Sequence, residues 1–464
     1  MQHHLAPVIA SVEAAAADLL TGGATPGVAV SIVQGGSLAW SRGFGLADPF
    51  TGRPATADTP FRIASVTKPF TASAVLQLRD EGRLALHDPL VTHLPEARRI
   101  GDPFGVLERI TIGQVLVHLA GLETDVPSDV GSPPGLTQHE LLARLPEASL
   151  VRPPDTRWHY SNLGYELLAI LVARLSREPY ADRLRRTVLA PAGLTETAYH
   201  PGPALARRLA VGAMTGPTTG TWDRAPDVDS DHLLGDGGLW STVDDLARWI
   251  HVQTLTTDAD RRGDGPRVLD GPSLRELQRP LALVDLDGWG SAQGPGWASF
   301  RVDEDAWLGH TGSLPGYRAL MLFRPDEGIG AAVLTNGTAR PTAIAHTACR
   351  QLLAAYRATA ALADADPPSS ATGTTTASGS GSGPQGTWHA SALGITHTIA
   401  RRDGRLLLLD AGQDPAALEP TGTPDEWRVA GDGPAAGERV RHVAAGPGGR
   451  EVLQVGGWPF TRTD

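Results

Sequence analysis

The stretch Phe61-Arg62-Ile63-Ala64-Ser65-Val66-Thr67-Lys68-Pro69-Phe70-Thr71-Ala72, FRIASVTKPFTA, holds the single lysine among 40 Lys and Arg residues in a 464-residue chain; the other 39 are arginines. Phe70, Val75 and Leu78 are spaced for a helix that begins near Ser65 and stops at Gly82. Pro69 then falls in the first turn, where a missing N–H costs little. On such a helix Ser65 and Lys68, three apart, share a face. A serine hydroxyl is a poor nucleophile until a base accepts its proton, and a neutral amine can be that base. Arginine cannot lose its proton, so a chain that uses Arg elsewhere keeps a lysine where a deprotonatable amine is required. The bland alternative is that one lysine must fall somewhere, and chance places a serine three residues before it in roughly 5% of cases. The helix N-terminus also offers unpaired N–H groups to a developing oxyanion.

Two other stretches carry chemistry. In RPPDTRWHYSNLGYE, Tyr160 and Asn162 are two apart in an extended segment and can point the same way. A phenol beside an ammonium can relay protons and an Asn can hold a substrate amide; the plain alternative is a turn with an Asn N-cap for the helix that follows. In GHTGS, an edge strand would place His310 and the Thr311 hydroxyl in a cleft, and Gly312 would let a substrate backbone approach. The N–H of Ser313, with that of Ser65, would make an oxyanion pair; here the plain alternative is an ordinary turn.

Ser-x-x-Lys, Tyr-x-Asn and His-Thr-Gly, in that order, resemble the motifs of the penicillin-recognising serine enzymes: class C β-lactamases, D,D-peptidases and their esterase and peptidase relatives. ITIGQVLVHLAGL and GDGGLWSTVDDLARW resemble further parts of that family, and the resemblance covers about residues 8 to 360. It implies Ser65 as nucleophile, Lys68 as base, Tyr160 as proton relay, Asn162 as substrate contact and His310 as the third-motif residue. It also implies an α/β (α+β) fold, with an antiparallel sheet flanked by helices and an all-helical subdomain. His310 departs from the lysine usual in β-lactamases and transpeptidases. A histidine is mostly neutral at pH 7, so the site lacks a permanent cation for a substrate carboxylate. His at this place resembles the esterase, D-aminopeptidase and peptidyl-thioesterase branches.

The organisation along the chain agrees with a sheet assembled from distant parts. Residues 27–46 read as a hairpin around Gln34-Gly35-Gly36. Helical patterns dominate from about 65 to 250, strands return at FRVDEDAWLG, YRALMLFRP and GIGAAVLTN, and HTACRQLLAAYRATAAL reads as a closing helix. Ile9, Val12, Leu19 and Leu20 mark one face of an N-terminal helix. The catalytic domain is expected over 1–362, and the Gly/Ser/Thr/Pro-rich stretch 363–386 reads as a linker. Residues 387–464 read as a small all-β barrel, resembling the lipocalin-like appendage of some of these peptidases and thioesterases. In its final GGWPFTRTD, Arg462, if folded over the cleft, could bind a peptide carboxylate bidentately.

The formal net charge of -11 excludes an electrostatic nucleic-acid or anionic-membrane partner. No apolar run approaches the roughly 20 residues of a membrane span, and with no export signal a cytoplasmic location is expected. One cysteine, Cys349, reads as a buried inert thiol. No serine sits in Gly-x-Ser-x-Gly. Asp227–His232 lacks the Gly and Glu of a calcium loop, and Gly43-Phe44-Gly45 lacks the third glycine of a dinucleotide fingerprint. No metal or cofactor is expected. Among Trp240, Trp289, Trp297 and Trp307, most are expected in the core and one or two in an apolar acyl cleft. The expected activity is acyl transfer through acyl-Ser65 on a peptidyl substrate, favoured as a thioesterase that releases and macrocyclises a nonribosomal peptide from a carrier protein. The alternatives are a D-stereospecific peptidase or esterase and, from another class, a sensor or carrier-binding module that acylates without turnover.

Overall fold

A computed structural model describes the chain except residues 1–4, 127–136, 216–220, 229–230, 232, 255–267, 287, 364–385 and eight short stretches after residue 390. It forms two compact units, Met1–Asp366 and Pro367–Asp464. The first is organised by one antiparallel sheet. Its strands are β1 (Gly27–Gln34), β2 (Ser37–Asp48), β3 (Arg53–Pro54), β4 (Ala282–Leu283), β5 (Ser291–Gln293), β6 (Ala298–Val302), β7 (Asp305–Leu314), β8 (Tyr317–Arg324) and β9 (Ile329–Thr335). Their spatial order is 3-2-1-9-8-7-6-5-4. The first and last thirds of the unit meet where β1 pairs with β9, Val30 opposite Val333. The β1–β2 connection is Gly35-Gly36, both at positive φ, as a tight hairpin turn between right-twisted strands demands.

The period of two along each central strand divides the core into two layers. Val28, Val30 and Ile32 of β1, with Ile329, Ala331 and Val333 of β9, pack beneath α1 (Ala6–Thr21) and the closing helix Thr342–Ala363. The closing helix presents Ile344, Ala348, Cys349 and Leu352 to that layer, and burial pushes the Cys349 thiol up and keeps it protonated. Helix α1 turns Val8, Val12 and Ala16 fully inward, while Ile9, Leu19 and Leu20 pack at the margin, so its buried face is rotated slightly from the expected one. Ala29 and Val33, with Ala332, Leu334, Met321 and Phe323, face the larger layer formed with the helices of residues 64–278.

Two of those helices position the site. Helix α2 (Lys68–Asp80) is buried along nearly its whole length, and α3 (Asn162–Ser176) is buried from Leu163 to Val172. Phe70 of α2 stacks on Trp249 of the helix Val243–Thr254, centroids 4.4 Å apart and 17° from parallel, which ties α2 to the helix lying on the sheet. Upstream, Phe61–Arg62 pairs with Trp240–Ser241, and the Ile63 N–H donates to the Leu239 carbonyl. The chain therefore enters α2 along a fixed track.

The second unit is a closed antiparallel barrel of eight strands from Gly386–Ala390 to Trp458–Arg462, sealed by pairing of the first strand with the last, Trp388 opposite Arg462. Its interior holds Ile399, Leu406, Leu408, Leu418, Val429 and Val440, the side-chain filling expected of a small eight-stranded barrel. The side chain of Arg462 lies outside the described residues.

Phe70→Ala removes a fully buried ring from the joint between α2 and the sheet layer. It is expected to lower stability by about 3–5 kcal/mol, read from urea denaturation midpoints at unchanged m-value.

Candidate active site

Helix α2 begins later than the sequence spacing implies. Ala64–Thr67 is a turn of 3-10 helix and the α-helix starts at Lys68. Ala64 sits at φ +48°, a left-handed conformation unusual for a residue with a Cβ. That kink lifts Ser65, half-buried, to the surface of the cleft, and such strain is typical of segments fixed by their surroundings. Lys68 is completely buried. Its Nζ donates to Asn162 Oδ1 at 2.7 Å and to the Asp236 main-chain carbonyl at 3.1 Å, and lies 3.3 Å from Ser65 Oγ. Three neighbours fill three directions. A neutral amine has two N–H groups and one lone pair, so Asn162 and the carbonyl can take the hydrogens while the lone pair faces Ser65.

Tyr160 and Asn162 do converge on Lys68, but in different ways. Asn162 is the first residue of α3, and the N-cap is Ser161, whose Oγ accepts the Gly164 N–H and donates to the Glu123 carbonyl. With the cap supplied by Ser161, the Asn162 amide is left to bridge Lys68 and Asp125, whose carboxyl is 3.4 Å from Nδ2. Tyr160 offers its ring face to the Lys68 nitrogen at 4.7 Å. Its hydroxyl makes no hydrogen bond to Ser65 or Lys68 among the described residues, so the relay expected of it is not formed in this geometry.

The third motif lies on β7, which is not an edge strand as expected. Its first half pairs with β6, Leu308 opposite Ser299. Its second half, from His310, runs past the end of β6 and keeps β8 as its strand partner, leaving the other side to the Ser65 turn. Gly312 is required there for another reason than substrate approach: a Cβ would come within 2.1 Å of the Ile63 carbonyl. His310 donates from Nδ1 to the Thr311 carbonyl at 2.6 Å, which leaves Nε2 as an acceptor. Burial, with Lys68 beside it, pushes His310 down to about 3, the Thr311 bond opposing, so the ring is neutral at pH 7.

These groups open onto a cavity of about 420 Å³ lined by Ser65, Tyr160, Asn162, His310, Thr311 and Ser313 together with Trp158, Val284, Ala298 and Phe300. The tryptophan here is Trp158, which the sequence pattern does not single out. Trp240, Trp297 and Trp307 are core residues, while Trp289 is 70% exposed at φ +52°. His118 is a second residue that the motifs leave aside, although it sits inside ITIGQVLVHLAGL. Its Nδ1 accepts the Ser161 N–H at 3.1 Å and its ring lies 4.6 Å from that of Tyr160, so it braces the Tyr160-Ser161-Asn162 segment. Burial and the charge of Lys68 hold it neutral as well. Asp236 and Glu166, both buried, complete the surroundings of Lys68. The Asp236 carboxylate is 3.7 Å from Nζ, and Glu166 Oε1 accepts the N–H groups of Gly235 and Asp236. Among the described residues no cluster of three potential metal ligands occurs, and no helix is long and apolar enough to cross a membrane.

A serine with a buried lysine at its hydroxyl, on a helix at the open flank of an antiparallel sheet, defines a serine hydrolase or acyltransferase. The chain belongs to the Beta-lactamase family, whose description matches residues 12–356. It is similar to D-alanyl-D-alanine-carboxypeptidase/endopeptidase AmpH of Escherichia coli (strain K12), at 27% identity over 319 residues, 68% of this chain and 80% of that one. Its fold is similar to that of the octameric penicillin-binding protein homologue from Pyrococcus abyssi, with TM-score 0.64 and 21% identity over 98% of this chain and 100% of the other. SurE is similar in fold too, with TM-score 0.60 and 23% identity over 99% and 100% of the two chains.

His310 is buried neutral, so the unfolded chain binds a proton that the folded chain refuses between pH 6.5 and about 3. Its contribution to stability is present above pH 6.5 and is lost as pH falls through that window, by up to about 1.4 kcal/mol per pH unit. His118 acts in the same direction. Urea midpoints are expected to rise from pH 4.5 to 6.5, with a shallower slope in His310→Gln.

Proposed function

We propose that the enzyme takes a peptidyl group from a carrier-protein thioester onto Ser65 and passes it to an amine of the same peptide, releasing a macrocycle. The observation that carries this is the neutral lining of the cavity. Among the described residues its wall includes no Arg, Asp or Glu, and His310, uncharged, stands where the family resemblance places the lysine usual in β-lactamases and transpeptidases. A β-lactam or a peptide ending in D-Ala-D-Ala brings a carboxylate that would be desolvated there without a cation, at a cost of several kcal/mol. A thioester brings none. The apolar wall of Trp158, Val284, Ala298 and Phe300 suits an apolar acyl residue and keeps water scarce around the acyl-enzyme, which favours an amine as acceptor.

In the first step the Ser65 oxygen attacks the thioester carbonyl while Lys68 takes its proton. The tetrahedral oxyanion receives the N–H groups of Ser65 and Ser313, each donor contributing on the order of 10²–10³ in rate. The C–S bond then breaks, and the thiol leaves with the proton held by Lys68. In the second step the amine attacks acyl-Ser65, its proton passes through Lys68 to the serine oxygen, and amide and free Ser65 result. Tyr160 moves its hydroxyl into the relay once substrate is bound, and Asn162, its Oδ1 kept on Lys68, offers its amide N–H to the acyl carbonyl. SurE has been crystallised with D-Leu and AmpH acts on D-alanyl-D-alanine, which supports a D-residue at the acylating position. The likeness to AmpH equally favours the second reading, a D-stereospecific peptidase or esterase.

A panel separates the readings: a peptidyl thioester ending in a D-residue with a free N-terminal amine, a D-residue anilide, a simple ester and a chromogenic β-lactam. Cyclic product from the thioester, with negligible β-lactam turnover, is expected. Linear acid alone together with fast anilide cleavage overturns cyclisation in favour of peptidase action, and stoichiometric acylation without turnover turns the protein into a sensor. Lys68→Arg is expected to lower kcat/KM by about 10²–10⁴ on every substrate that turns over.

A further inference from the structure

Two buried carboxyls next to one buried lysine are not needed for the acyl-transfer steps themselves. Glu166 and Asp236 are 7% and 5% exposed, and Lys68 is not exposed at all. The segment Leu234–Asp236 that carries one of them is clamped from three sides. Thr71 of α2 donates to the Gly235 carbonyl at 2.6 Å. The Tyr199 hydroxyl donates to the Leu234 carbonyl. Glu166 Oε1 accepts the Gly235 and Asp236 N–H groups at 2.7 and 3.1 Å. Gly235 has no alternative residue here, since a Cβ would lie 2.0 Å from the Tyr165 carbonyl. Asp236 is therefore fixed with its carbonyl 3.1 Å and its carboxylate 3.7 Å from Lys68 Nζ.

The electrostatics of this arrangement do not close with both carboxyls ionised. Asp236 Oδ1 is buried without a hydrogen-bond partner among the described residues, and Glu166, held through Oε1 on the Asp236 N–H, is the buried carboxyl beside it. A proton on the second Glu166 oxygen would supply the missing donor and remove the repulsion between the two carboxylates. Burial and the neighbouring Asp236 charge both push Glu166 well above the usual carboxylate range.

We propose that Glu166 and Asp236 share one proton and act as positioning residues, presenting a single negative charge that holds the Lys68 amine against Ser65. The proposal rests on Lys68 being the base of the reading above. The remaining groups around Lys68 are Asn162, the rings of Tyr160 and Tyr165 at 4.7 and 5.5 Å, neutral His118 and His310, and Asp125 beyond Asn162. Among the described carboxyls, only Asp236 contacts the lysine directly. Two full charges there would pin it as ammonium; none would leave nothing to oppose its retreat from Asp236.

The test is kcat/KM against pH for a p-nitrophenyl ester, with Ser65 acylation confirmed by intact mass. Glu166→Gln keeps an acceptor for both N–H groups and a donor for Asp236, so it mimics the protonated acid and is expected within about threefold of wild type. Asp236→Asn removes the counter-charge that favours the ammonium. It is expected to lower kcat/KM at least tenfold through misplacement of the amine and to move the ascending limb to lower pH by about one unit or more. An activity loss in Asp236→Asn with the limb unmoved marks a merely structural role and overturns the proposal. So does a tenfold or larger loss in Glu166→Gln with folding intact by near-UV circular dichroism. Lys68→Arg retaining activity would instead sink the lysine-base reading, so the two failures are distinguishable.

Discussion

The site depends on how a lysine with no access to water is kept useful. An unpaired ammonium buried like Lys68 would cost many kcal/mol, and the ordinary escape is for the group to lose its proton. The surroundings of Lys68 allow both protonation states without a rearrangement. Asn162 Oδ1 and the Asp236 carbonyl accept N–H bonds from amine or ammonium alike, and the third direction meets Ser65 Oγ, which can take a hydrogen from the ammonium or give one to the lone pair. A base that cycles between the two states loses no hydrogen bond in either. This is the property a proton shuttle at a nucleophile needs, and it follows from three distances rather than from any one residue type.

Much of the surrounding architecture can be understood as fixing those three partners. Asn162 is available because Ser161 caps the helix in its place, and Ser161 is held by Glu123 and His118. The Asp236 carbonyl is available because Thr71, Tyr199 and Glu166 hold the backbone on either side of it. Ser65 is available because Ala64 is bent into the left-handed region between a fixed entry strand and a buried helix. Each fixing contact comes from a different part of the chain. The closure of the sheet by β1 against β9 holds these parts in one frame, although neither strand touches the cleft.

What is legible in the sequence is the part with local spacing. Ser65 and Lys68 announce themselves because three residues are one helical turn, and the hairpin at Gly35-Gly36 because its two glycines stand between β-rich runs. The alternation of Val28, Val30 and Ile32 with smaller residues is equally local and fits a strand buried on both faces. What escapes are positions whose meaning lies in a partner far away. Trp158 shares the cavity wall with Ala298 and Phe300 of β6, 140 residues later, which nothing in its own stretch of sequence shows. His310 reads as an edge position because nothing in GHTGS tells where β6 ends. Asn162 reads as a cap because Asn is a good cap, and its neighbour Ser161 breaks the tie.

Glu166 stands outside the three motifs, yet its signal is readable. In LGYELLAILVARL the apolar helix positions Leu163, Leu167 and Ile170 put residue 166 on the buried side, where a carboxylate has no business without a partner. A carboxyl in an apolar register therefore predicts a second polar group facing it, here Asp236 of GDGGLW and the backbone it stands on. The same logic runs through the single lysine. Both residues are ionisable groups placed where solvent cannot reach them, and such placements persist when the group is answered by geometry. A charge that stands against its hydrophobic register is thus evidence, in the amino-acid pattern itself, for a partner across the core, and in this chain the register of α3 and the lone lysine of α2 point to the same spot.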